Sequence, residues 1–123
     1  MRFRVTFFLT LSLLALAAGL PCDEYKGGRP GYSEASLRLC SDSTYLFYEH
    51  DHTGMRVHDR GRWSRFNEHF CLSSTRKNGK PARFPRFVRQ EFSLKGDTLR
   101  FIPKNAEQAG YFFAYYTFVK SHP

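Results

Sequence analysis

Apolar and polar residues along this chain alternate in short runs and do not repeat at helical spacing. Leu37-Arg38-Leu39 gives way to the turn chemistry of Ser41-Asp42-Ser43 and then to Thr44 to Tyr48, dense in β-branched and aromatic residues. Two such runs predict a hairpin. Met55 to Trp63 (MRVHDRGRW) alternates again, and Phe70 and Leu72 flank Cys71 ahead of the polar SSTRKNG, whose Asn78-Gly79 marks another turn. Phe84 to Leu94 follows, with Pro85 near its start, and Leu94-Lys95-Gly96-Asp97-Thr98-Leu99 predicts a tight turn between two strands. Pro103 ends that run, Lys104 to Ala109 has room for one helical turn, and Tyr111 to Val119 (YFFAYYTFV) predicts an aromatic strand that is apolar at both alternate sets of positions. Together these runs predict an all-β fold of about seven mainly antiparallel strands in a small barrel or sandwich.

The N-terminus carries a different pattern. Arg2 and Arg4 precede an apolar run from Val5 to Leu16, followed by Ala17, Ala18 and Gly19. This is the layout of a cleaved export signal, here read as a signal helix over residues 1–19. The run is shorter than the roughly 20 residues that span a bilayer, and no later segment is longer and uncharged. Residues 20–35, rich in Gly and Pro, read as an N-terminal arm or loop. A single β domain then occupies residues 36–120. Aromatic residues must supply much of its core, because they make up 17% of the chain.

Export implies an oxidising compartment, where two of Cys22, Cys40 and Cys71 are expected to pair. A Cys22–Cys40 bridge would tie down the N-terminus and leave Cys71 as a buried free thiol. The alternative is a lipid anchor on Cys22, with Cys40 and Cys71 bridged; Pro21 stands where a lipoprotein signal usually has a small residue.

Removing the leader removes Arg2 and Arg4, leaving 19 − 2 = 17 Lys and Arg against 11 acidic residues, a net charge of +6. A basic exported protein favours lipid headgroups or polysaccharides over nucleic acid as partners. Arg76, Lys77, Lys80, Arg83, Arg86 and Arg89, interleaved with Phe84 and Phe87, form the densest basic segment. It can hold a phosphorylated or sulfated surface, or serve as a solvated loop whose Phe side chains turn inward.

Residues 48–54 read YEHDHTG. A two-residue loop at Thr53-Gly54 sets His52 opposite Met55, His50 opposite Val57 and Tyr48 opposite Asp59, bringing His50, His52 and Asp59 to one face. Two imidazoles and a carboxylate suit zinc or copper; the alternative is a polar hairpin tip. A loop of another length would move His58 onto the face of the two histidines. For catalysis, neither a Gly-rich phosphate loop nor a G-x-S-x-G elbow is present, and His69 beside Cys71 lacks a third orienting group.

LRLCSDSTYLF (Leu37 to Phe47), Gly61-Arg62-Trp63, Cys71-Leu72-Ser73-Ser74 and Gly96-Asp97-Thr98-Leu99 together give the chain an order that resembles small exported bacterial β-proteins of lipocalin-like type. The resemblance implies an envelope-associated, periplasmic or extracellular β domain and carries no functional residue across. The expected function is a non-catalytic binding or interaction module, its partner an apolar small molecule or an anionic envelope component. The metal-binding hairpin and the basic loop are the alternatives.

Overall fold

The computed structural model describes residues 20–110 and 117–122. Eight strands follow one another: β1 (Cys22–Gly28), β2 (Ser33–Cys40), β3 (Thr44–Asp51), β4 (Arg56–Phe66), β5 (His69–Ser74), β6 (Gln90–Lys95), β7 (Thr98–Phe101) and β8 (Thr117–Lys120). Each pairs antiparallel with the next, and β8 returns to β1, closing a barrel in sequence order. A five-residue helix, α1 (Ala106–Gly110), lies between β7 and β8. No helix among the described residues is long and apolar enough to cross a membrane.

The expected all-β fold is thus observed, as the barrel of the two architectures the pattern allowed and with one strand more than it suggested. The extra strand is β1, which lies in the segment read as an arm. Its glycines mark a seam and not a loop: a Cβ on Gly27 would lie 1.9 Å from the Thr117 carbonyl oxygen, so only glycine lets β1 approach β8 this closely. The barrel domain therefore begins at Cys22, ahead of residue 36. The turn before β2 is held by the amides of Tyr32 and Ser33, both donating to the Arg29 carbonyl.

Cys22 and Cys40 face each other across β1 and β2 and form a disulfide, leaving Cys71 free. The bridge fastens the first strand to the second at one end of the barrel.

Period-two alternation sends one set of side chains inward. Tyr25, Leu37, Leu39, Tyr45, Phe47, Phe70, Leu72, Phe92, Leu99, Phe101 and Phe118 fill the interior. Phe92 meets Phe87, Phe101 and Phe118 edge to face at centroid separations of 5.7–6.2 Å, within the range where aromatic pairs attract beyond simple burial. Of the aromatic strand expected at 111–119, Thr117 to Val119 lie in β8, and residues 111–116 lie outside the described residues.

β4 is the longest strand, and it changes partner partway. Its first half pairs with β3 and its second with β5, the two overlapping at Gly61 and Arg62. At that crossing a Cβ on Gly61 would meet the Ser73 carbonyl oxygen at 2.0 Å and the Tyr45 ring at 2.6 Å. The Gly-Arg-Trp motif is explained locally. Glycine permits the crossing, and the Trp63 indole donates to the Cys40 carbonyl at 3.0 Å and stacks on Phe70.

The basic segment forms a long connection, residues 75–89, between β5 and β6. It folds back over the barrel and inserts Phe87 into the core, while Phe84 remains on the outside.

Candidate functional site

The β3–β4 hairpin determines which residues of β4 face outward. The Asp51 amide donates to the Met55 carbonyl at 3.0 Å, so the loop has three residues, His52-Thr53-Gly54, with Gly54 left-handed at φ 86°. The Asp51 carboxylate accepts from the amides of Thr53 and Met55 and from the Thr53 hydroxyl. Those bonds, led by the Thr53 hydroxyl, hold its pKa below the usual carboxylate value.

The resulting register pairs Phe47 with Asp59, Tyr48 with His58 and His50 with Arg56. This is one residue away from the register a two-residue loop gives, and a one-residue slip exchanges the faces. The proposed grouping of His50, His52 and Asp59 is therefore not formed. Asp59 turns inward, and His58 takes its place beside Tyr48 and His50 on the outer face. His50 Nε2 lies 3.6 Å from the Glu34 carboxylate, and His52 packs edge-on against Tyr32. No group of three or more His, Cys, Asp or Glu side chains among the described residues is arranged to hold a metal ion.

Inside the barrel, Asp59 accepts hydrogen bonds from the Tyr45 hydroxyl at 2.7 Å and the Ser74 hydroxyl at 2.8 Å. Ser74 Oγ accepts in turn from the Phe87 amide. Burial, together with the neighbouring Asp59, pushes the Tyr45 phenol far above its ordinary pKa, while the Ser74 bond opposes the shift. Tyr45 thus remains a donor, as an interior carboxylate requires. A buried carboxylate, Glu49, pairs with Arg86 at 2.8 Å and accepts from the Ser33 hydroxyl at 2.9 Å.

Arg86 is thereby drawn out of the expected basic surface and into the wall of the barrel. The other five residues of that set divide. Lys80, Arg83 and Arg89 are exposed along the connection, whereas Arg76 and Lys77 approach β4.

Three arginines that the sequence reading did not select complete the picture. Alternation from Arg56 sends Arg56, His58, Arg60 and Arg62 to the exterior of β4, with Val57, Asp59 and Gly61 on the inner side. Across the seam to β3 they face His50, Tyr48, Leu46 and Thr44, none of them acidic. Arg38 lies beyond Leu46 on β2. None of Arg38, Arg56, Arg60 or Arg62 joins an ion pair among the described residues. The signal was present in MRVHDRGRW: taking positions 56, 58, 60 and 62 together reads R-H-R-R.

At the disulfide end, this stripe runs into a cleft of about 500 Å³ whose lining includes Arg60, Arg62, Arg76, Lys77 and Asp42. A second depression, about 780 Å³, lies on the outer side of β5 beside His69 and Cys71. Burial pushes the Cys71 thiol up, and Glu91 pushes it further, which disfavours the thiolate.

Fold and surface together define a class: a closed eight-stranded up-and-down barrel with an aromatic-filled interior and a basic outer face. No family model, curated protein or solved structure matches the chain. The resemblance to lipocalin-like proteins is therefore supported at the level of barrel architecture alone.

Proposed function

We propose that the protein is an exported binding module that engages an anionic component of the cell envelope through the outer face of β4. The carrying observation is the row Arg56, His58, Arg60 and Arg62 on one strand face, with no carboxylate opposite it on β3. Cross-strand pairs on a solvated sheet gain from opposite charges, and a face that forgoes them is held ready for an external anion. The leader-like N-terminus and the Cys22–Cys40 bridge support export. The ring-filled interior favours an external site over an apolar one inside the barrel.

Retention on an immobilised sulfated polysaccharide tests this reading. The protein should elute progressively earlier as salt rises, because exposed charges are screened over about 10 Å at 0.1 M. The triple variant Arg56→Ala, Arg60→Ala, Arg62→Ala should elute earlier than one losing Lys95, Arg100 and Lys104 elsewhere on the barrel. Retention insensitive to salt, or equal loss in both variants, would count against the face.

A further inference from the structure

We infer that the cleft at the disulfide end of the barrel is a subsite for a phosphate monoester group. This rests on the anionic-ligand reading and narrows it to one position and one chemistry. Arg60 and Arg62 come from β4, Arg76 and Lys77 from the connection after β5, and Asp42 is the acidic residue in the same lining. Four cations against one carboxylate leave a net of +3 in about 500 Å³.

That single carboxylate is already engaged. Asp42 accepts from the Thr44 amide at 3.1 Å and from the Thr44 hydroxyl, which, with Arg62 nearby, lowers its pKa. None of the four cations joins an ion pair among the described residues.

The two walls are also fixed relative to each other. The Thr75 amide donates to the Arg60 carbonyl at 2.9 Å, and Thr75 bridges to Pro81. Within the turn, the Arg76 amide donates to the Lys80 carbonyl at 2.8 Å, the Gly79 amide to the Arg76 carbonyl at 2.9 Å, and the Lys80 amide to Asn78 Oδ1 at 3.1 Å. Gly79 takes a left-handed φ of 80°, and a Cβ there would lie 4.0 Å from Arg62 Nη2. The turn thus fixes the backbone that carries Arg76 and Lys77, with Gly79 against the Arg62 guanidinium, before any ligand arrives. Such preorganisation lowers the ordering cost of binding.

The ligand class follows from charge. A carboxylate or a phosphodiester brings one negative charge, whereas a phosphate monoester brings about −1.5 to −2 at pH 7 and three acceptor oxygens suited to guanidinium forks. Several cations around a small volume reward the more concentrated charge.

Binding of glucose 6-phosphate, followed by calorimetry at constant ionic strength, is the first arm. The second is co-sedimentation with vesicles containing phosphatidic acid, compared with phosphatidylglycerol at matched surface charge. Two double variants remove equal charge: Arg76→Ala with Lys77→Ala inside the cleft, and Lys95→Ala with Arg100→Ala elsewhere on the barrel. All four side chains are exposed, so folding is not at stake. The monoester should bind about tenfold more tightly than the diester, as one extra charge-assisted contact provides. The cleft pair should lose about tenfold in monoester affinity, and the control pair less than about twofold. Monoester binding in solution assigns a soluble or sugar-borne phosphate. Binding confined to phosphatidic acid vesicles assigns a lipid headgroup.

Absence of binding in both arms, equal loss in the two variants, or equal affinity for monoester and diester, overturns the subsite. If polysaccharide retention persists in that case, the broader reading of the basic face stands; if the unaltered protein is not retained at all, that reading fails first.

Discussion

Phe84 and Phe87 stand three residues apart in the same basic connection, yet they make opposite predictions. Phe87 is 3% exposed and Phe84 is 89% exposed. Phe87 packs edge to face on Tyr45, Phe47 and Phe92, at centroid separations of 6.0, 5.3 and 5.8 Å. Replacing a buried Phe with Ala removes both the transfer energy of the ring and its packing, costing about 3–5 kcal/mol in protein cores. The Phe87 backbone is separately held, its amide donating to Ser74 Oγ and its carbonyl accepting from the Ser74 amide. Those bonds survive truncation, and the connection can partly collapse into the gap, so the lower end of that range, about 3 kcal/mol, is expected for Phe87→Ala. Phe84→Ala should stay within about 0.5 kcal/mol of the unaltered protein. Urea unfolding followed by far-UV circular dichroism measures both. In a domain near 100 residues, the Phe87 variant should also melt about 15 °C lower. Equal stabilities for the two variants would mean that Phe87 does not plug the barrel, and the account of the connection would fall with it.

Two further predictions concern what holds the barrel shut and what keeps its interior charge compensated. Reducing the Cys22–Cys40 disulfide, or replacing both cysteines with Ser, frees a loop with a sequence separation of 18 and should cost about 3 kcal/mol in unfolding free energy, read from urea midpoints with and without reductant; coincident curves would refute this. Tyr45→Phe removes a buried donor to Asp59 and should cost about 1.5–3 kcal/mol at neutral pH. Because the folded phenol titrates above the ordinary 10.0, its contribution is complete below pH 10 and is lost as pH rises beyond it. The variant should therefore lose less stability than the unaltered protein between pH 8 and pH 11. Parallel declines in urea midpoint would show that Tyr45 does not carry this dependence.

The strands from β2 onward were legible because each buries one face, which forces alternation into the sequence. β1 was not, because its sequence is dominated by the demands of the seam. Gly27 reads as a loop residue until the Thr117 carbonyl is seen occupying the space where a side chain would be. The cysteine pairing was legible as one of two alternatives, since three cysteines limit the choices but do not name the partner. The hairpin register was not, because Asp51-His52-Thr53-Gly54 suits both a two- and a three-residue loop. The outcome depends on the Asp51 carboxylate capping the Thr53 and Met55 amides. Arg86 was misplaced for a related reason: its partner, Glu49, lies 37 positions away. Charge along the chain cannot reveal that pairing.

That single-residue difference in the loop links the fold to the proposed function. Had the register slipped, Arg56, Arg60 and Arg62 would turn into the barrel, where three guanidinium groups would need buried partners. The interior carboxylates Asp59 and Glu49 are satisfied by Tyr45 with Ser74, and by Arg86 with Ser33. Burying unpaired charge costs several kcal/mol per ion, so the observed register is strongly favoured by the core alone. The core's demand, however, reaches only the inward positions, Val57, Asp59 and Gly61. It requires that residues 56, 58, 60 and 62 face outward and leaves their identities open, since any polar residue would keep that strand soluble. Arginine at three of those four positions, without an acidic partner on β3, is more than the fold asks for. The proposed engagement of an external anion would account for that excess, and the Arg76–Gly79 turn, bonded to the Arg60 backbone through Thr75, continues the basic row into the cleft.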